Sequence, residues 1–178
     1  MSPLAIAPSP RRRRLAWSGA LFLAFDALLI GVVIVWITGG RHLGLAAAFV
    51  AVGVLVSGLL AAVVARPPKA RIAEGRLHVE ADFQRLSLPL AGARMRRIDL
   101  RDWPAAELPA AMRAPRWWQG GDAMGWQRDR DGRRWFAALP GRIAALEIEA
   151  EDGERLRLAP AHREAFVAAL QAAGAREA

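Results

Sequence analysis

Two hydrophobic patterns follow one another along the chain. Near its start, two stretches are apolar all the way round: Leu15 to Ile37 (LAWSGALFLAFDALLIGVVIVWI), interrupted by one charge, and Gly44 to Ala65 (GLAAAFVAVGVLVSGLLAAVVA), with none. At about 1.5 Å per residue each run reaches roughly 33 Å, enough to cross the roughly 30 Å hydrocarbon core of a bilayer. After Arg66-Pro67-Pro68, where the prolines stop the second helix, the period falls to two. RLHVEA (76–81), QRLSLPL (84–90) and RRIDL (96–100) predict strands. The stretch 102–125, with Pro104, Pro109, Pro115 and Gly120-Gly121, predicts irregular chain. Two hairpins are expected next, turning at Asp131-Gly132 and at Asp152-Gly153, the second with Leu146, Ile148 and Ala150 on one side. From Ala161 onward, Phe166, Val167, Leu170 and Ala173 fit one face of a helix that Gly174 ends.

The expected organisation is a basic N-terminus (1–14), a first span (15–37), an external turn (38–43), a second span (44–65), a linker (66–71) and a soluble domain (72–178). Strands followed by one terminal helix describe a small barrel or sandwich closed by that helix, so the fold class is membrane-anchored α+β. Trp17 and Trp36 stand 19 residues apart, about 28 Å along a helix, as indoles at the two headgroup boundaries would. A cleavable signal peptide with Arg11 to Arg14 as its basic region fits less well. The apolar run is too long, no small-residue cleavage site ends it, and a second span follows.

Composition sharpens this picture through where the charge sits. The 178 residues carry 25 Lys+Arg and 17 Asp+Glu, net +8, with 54% apolar residues. Up to residue 70 there are seven basic residues and one acid; beyond it, eighteen and sixteen. The excess therefore belongs to the apolar region, and the interleaved acids of the remainder argue against nucleic acid as a partner. Arg11, Arg12, Arg13 and Arg14 precede the first span, Arg66 and Lys69 follow the second, and only Arg41 stands between the spans. The positive-inside rule then puts both termini in the cytoplasm of a bacterial-type inner membrane.

Within the spans, Gly53, Ser57, Ala61 and Ala65 recur every fourth residue, and Ala27 with Gly31 forms a shorter pair. Small residues let helix backbones approach closely, either within the hairpin or against another copy or protein. Asp26 lies near mid-span, where an ionised carboxylate costs about 2.5–3.5 kcal/mol on insertion scales. Matching depth points to Ser57 as its hydrogen-bond partner, and a structural contact is favoured over a functional role in a proton relay or partner recognition, since one acid with no second intramembrane ionisable group makes a poor transport pathway.

Little else carries chemistry. The absence of cysteine excludes disulfides, Cys-based zinc sites, iron–sulfur clusters and thiol nucleophiles. His42, His78 and His162 are not at metal-ligand spacing, Gly120-Gly121 is not followed by a Gly-Lys-Ser/Thr phosphate loop, and Ser87 lacks nucleophile-elbow glycines. Glu147 and Glu149 alternate with Leu146 and Ile148, which predicts a solvated face. No catalytic, cofactor or metal site is therefore expected, and no cofactor. Trp126 and Trp135 fall in strands and are expected to fill the barrel. Trp117-Trp118, with Arg113 and Arg116 beside them in the irregular stretch, form the candidate contact for a partner or the bilayer, since Arg and Trp dominate binding hot spots.

Gly125-Trp126 before a strand, Asp131-Gly132, the LEIEAEDGERLRLAP segment (146–160) and Glu164, Phe166 and Leu170 in the closing helix give the chain from about Ile72 a resemblance to bacterial pleckstrin-homology-like (PH-like) domains of small membrane-anchored proteins. The resemblance implies two near-orthogonal sheets with a C-terminal helix plugging one end. Phosphoinositide binding is not carried over, because the first hairpin connection, Ala81-Asp82-Phe83-Gln84, lacks the family's basic residues. The expected function is a non-enzymatic scaffold or regulatory binding module at the cytoplasmic face. Its partners would be the bilayer, other membrane or cytoplasmic proteins, or further copies of itself. The alternative is an accessory subunit that meets a transporter or envelope enzyme through its hairpin.

Overall fold

The computed structural model describes residues 4–101, 103, 122–129, 131–141 and 143–178. The chain divides into two compact units, Pro10–Arg66 and Met1–Ser9 with Pro67–Ala178.

The first unit is a pair of helices, α1 (Pro10–Ile37) and α2 (Leu43–Val64). The most apolar 18-residue stretch within Arg12–Ile37 and within Leu43–Val64 has a mean hydropathy of 2.6, so both helices are long and apolar enough to cross a membrane. Ala20, Ala27 and Gly31 of α1 and Ala46, Ser57 and Ala61 of α2 are buried. The approach is close enough that a β-carbon added to Gly53 would lie 2.5 Å from the Ala27 Cβ, and one added to Gly31 would lie 2.5 Å from Val50 Cγ2. The small-residue seam thus packs the hairpin against itself. The remaining surface is apolar: among the described residues, every exposed large hydrophobic side chain except Phe83 belongs to these two helices.

The second unit holds two open sheets. Strands β1 (Lys69–Ala73), β2 (Arg76–Ala81) and β3 (Gln84–Pro89) form an antiparallel sheet in that order. The other strands are β4 (Arg94–Asp99), β5 (Ala123–Arg128), β6 (Arg134–Leu139), β7 (Ala144–Glu149), β8 (Arg155–Leu158) and β9 (Arg176–Glu177). They make a six-stranded sheet ordered β5-β6-β8-β7-β4-β9, in which the β6–β8 and β4–β9 pairs are parallel. Helix α3 (Arg163–Ala172) contributes Phe166, Val167 and Leu170 to a core that also takes Leu77, Val79 and Leu88 from the first sheet and Met95, Phe136, Ile148 and Leu158 from the second. The hairpins expected at Asp131-Gly132 and Asp152-Gly153 join β5 to β6 and β7 to β8.

Three features depart from the sequence expectation. First, among the described residues no ladder closes the strands into a barrel. Where β3 comes near β5, the Gln84 side chain accepts a hydrogen bond from the Trp126 N–H at 2.7 Å in place of strand pairing. Gly125, at φ +75°, lacks the Cβ that the Gln84 amide would meet there. The fold is mixed α+β with two separate sheets. Second, β1 begins at Lys69, inside the stretch read as linker. Third, Leu4–Ser9 is part of the sheet-rich unit. Ile6 bridges Pro160 and is 4% exposed, the Ala7 N–H donates to the Ala159 carbonyl at 2.8 Å, and the Ala161 N–H donates to Ala5 at 2.8 Å.

Candidate functional site

In the six-stranded sheet, strand register lines up side chains across three strands. Arg96 of β4 faces Glu147 of β7, which faces Arg157 of β8. All three lie on the side opposite Leu146 and Ile148, and that side is covered by a second core containing Leu100, Trp135, Ala137 and Ala145, with Trp103 packed against it. Glu147 is therefore only 4% exposed, which corrects the expectation of a solvated face. Its Oε1 accepts from Arg96 Nε at 2.7 Å and its Oε2 from Arg157 Nε. The Arg157 guanidinium carbon lies 4.5 Å from the Trp103 ring centre and 4.4 Å from that of Trp135. A carboxylate holding two guanidiniums has both oxygens occupied, so this cluster is an ion-pair network, buried at Glu147 and Arg157 and open to solvent at Arg96. The Trp135 indole N–H is buried with no hydrogen-bond partner among the described residues. Trp126, half-buried, meets Phe136 edge-on with centroids 5.4 Å apart, and Arg134 lies over its ring at 4.8 Å.

The neighbouring row, Arg94–Glu149–Arg155, repeats the pattern nearer to solvent, with Arg155 Nε donating to Glu149 at 3.0 Å. At the end of β4, Arg101 donates from its guanidinium and from its backbone N–H to Asp99, holding that carboxyl at about 2, below its ordinary 3.8. Arg97 reaches Glu164 of α3 at 3.2 Å.

The outward face of the first sheet carries a cluster of basic side chains. Lys69 and Arg71 of β1, Arg76 of β2 and Arg85 of β3 are exposed, with Glu80 the acid among them. A groove of about 680 Å³ runs over Lys69, Arg71, His78, Glu80, Arg85 and Ser87. At the end of this sheet where β1 begins, Asp82 and Phe83 form the β2–β3 turn, both with positive φ (53° and 65°), and Phe83 is 71% exposed.

No family model, curated protein or solved structure matches this chain.

The remaining expected residues distribute as follows. Arg12 Nε donates to the Val64 carbonyl at 2.7 Å, so a residue read for topology also satisfies one of the orphan carbonyls that end α2. Arg13, Arg14, Arg66 and Lys69 are exposed; the Arg11 side chain, and the whole group Arg113, Arg116, Trp117 and Trp118, lie outside the described residues. Ser57 is not joined to Asp26: its hydroxyl donates to the Gly53 carbonyl of its own helix at 2.7 Å, the usual local alternative for a helical serine. Among the described residues no group of three His, Cys, Asp or Glu could hold a metal.

Sequence reasoning passed over the Arg96–Glu147–Arg157 row. The signal was present, since pairing LEIE with RLRL across a short hairpin puts Glu opposite Arg. Its burial depends on what covers the face, which alternation alone does not report.

Proposed function

We propose that this protein is a membrane-anchored, non-enzymatic binding module, held at the cytoplasmic face of a bacterial-type inner membrane by its two-helix hairpin. The observation that carries the reading is the location of exposed apolar surface. Among the described residues it is confined, with one exception, to the two helices, and a contiguous apolar surface of that extent in water is an aggregation hazard, whereas in lipid it is the ordinary exterior. The basic flanks, with Arg41 alone in the connection, support the cytoplasmic placement of both hairpin ends. The charged clusters of the sheet-rich unit are occupied by one another, which favours binding over catalysis. The basic outer face of the first sheet, carrying Lys69, Arg71 and Arg85, is the proposed contact for an acidic protein partner. Tethering raises the effective concentration for a membrane-bound partner, so a modest intrinsic affinity suffices.

The test compares the full chain with a form in which a flexible Gly/Ser linker replaces Pro10–Arg66, using crosslinking in the protein's own cell and mass spectrometry. The module reading expects both forms to capture a common partner, the soluble one at higher concentration, and expects charge reversal at Arg71 and Arg85 to abolish capture of that partner. Absence of any partner common to the two forms, with capture by the full chain alone, sinks it. That result would favour a second reading, an accessory subunit docking through the hairpin, which one observation supports: among the described residues Asp26 has no hydrogen-bond or ion-pair partner.

A further inference from the structure

We infer that Asp26 is the docking point for a membrane-spanning segment of another protein, one that carries a lysine or arginine at mid-bilayer depth. The inference rests on α1 crossing a membrane. Asp26 stands 14 residues from Arg12 and 11 from Ile37, so about 17–21 Å of helix separates it from either end of the span. That is too deep for a short carboxylate side chain to reach the headgroups.

At that depth a carboxylate needs a polar partner, and the described residues supply none. Among the described residues Asp26 makes no hydrogen bond or ion pair. The hydroxyls of the hairpin are spent on backbone carbonyls of their own segments: Ser57 on Gly53 at 2.7 Å, Thr38 on Ile34 at 2.7 Å and Ser18 on Leu15 at 3.1 Å. The residues one turn away on α1, namely Phe22, Leu23, Leu29 and Ile30, are exposed and apolar. Asp26 itself is half-buried beside Ala27, the residue against which Gly53 packs, so its carboxyl remains reachable from outside the hairpin.

The chemistry also selects the occupant. Intramembrane acids in stable assemblies pair with an opposite charge or face a polar interior. A second copy of this chain would bring only another Asp26 to the same depth, since its arginines stand at the span ends and in the turn. Charge complementarity therefore points to a cation on a different protein. The small-residue seam, already used within the hairpin, leaves the carboxylate as the specific feature of the outer surface.

The absence of native cysteine makes the test clean. The full chain with a single cysteine at the exposed turn residue His42 is labelled with a donor dye and reconstituted into neutral-lipid vesicles. The probes are acceptor-labelled transmembrane peptides of leucine and alanine, one with a central lysine and one with leucine in its place. The lysine peptide is expected to associate about tenfold more tightly, and Asp26→Asn and Asp26→Leu are expected to remove that preference while leaving the leucine peptide unaffected. Equal binding of the two peptides by the native sequence overturns the inference, as does a lysine preference that survives in Asp26→Asn. Association of copies that depends on Asp26, without lysine preference, overturns it in favour of a second copy. Release of the protein from the vesicles by alkaline carbonate is a separate outcome, which removes the membrane reading as well.

Discussion

Glu147 and Glu149 stand two residues apart on the same face of β7, and the fold treats them differently. Glu147 is buried with a guanidinium on each oxygen, one of them Arg157 stacked on Trp135 and Trp103; Glu149 sits nearer to solvent with Arg155. Removing Glu147 strands Arg157, whose side chain is 11% exposed, so Glu147→Ala should cost about 3–5 kcal/mol. Glu149→Ala should cost less than about 1 kcal/mol. Thermal unfolding of the two variants in detergent separates them, and equal losses would contradict the buried network. Alternation told which side of the strand the acids occupy; whether that side met water depended on Trp103 and Leu100, which are distant in sequence from β7. A second residue-scale expectation concerns Asp82-Phe83. Two consecutive non-glycine residues with positive φ cost of order 1 kcal/mol or more each, and Asn-Gly suits such a turn. Asp82→Asn with Phe83→Gly should therefore raise the melting temperature by roughly 4 °C or more. A fall would mean that Phe83 packs against something its exposure conceals.

At the scale of the element, the two apolar helices were the most legible feature of the chain, because a run without polar residues needs no partner to be recognised. The internal packing of the hairpin was legible as well, since residues four apart share a face and only small ones let backbones meet. Gly53 tests it. A Cβ there strikes Ala27, whereas one on Gly58 meets nothing within 4 Å. Gly53→Val should loosen the hairpin and lower its unfolding temperature in detergent, and Gly58→Val should leave it nearly unchanged; similar behaviour of the pair would place the seam elsewhere. Strand β1 was less legible. KARIA is five residues long and follows two prolines, and its register against β2, Lys69 to Glu80 through Ala73 to Arg76, is a tertiary fact. The expected barrel closure failed for a similar reason: the alternation in β3 and β5 is real, but Gln84 meets Trp126 by a side chain where a ladder was anticipated.

The whole molecule shows what local pattern could not contain. Leu4–Ser9 reads as the start of a basic tail, yet Ile6 sits in the same core as Phe136 and Phe166, and Ser9 Oγ donates to Asp122 at 3.0 Å. Residues more than a hundred positions apart meet, and no periodicity in six residues could announce it. A fragment of residues 72–178 lacks this segment and the first half of β1, so it should melt well below a form in which residues 1–9 are joined to 66–178 through a Gly/Ser linker. Calorimetry of the two soluble proteins checks this, and identical transitions would show that the segment contributes nothing to the core.

The same segment has a consequence for the order of synthesis. Ser9 is followed at once by α1, and only Ala65 to Pro68 separate α2 from β1, so the helical pair is an insertion within the sheet-rich unit. Ile6 leaves the ribosome before both helices, and Pro160, which it bridges, leaves it after them. The first residues to be made are therefore among the last to find their place, and must be held in waiting while more than a hundred others are added.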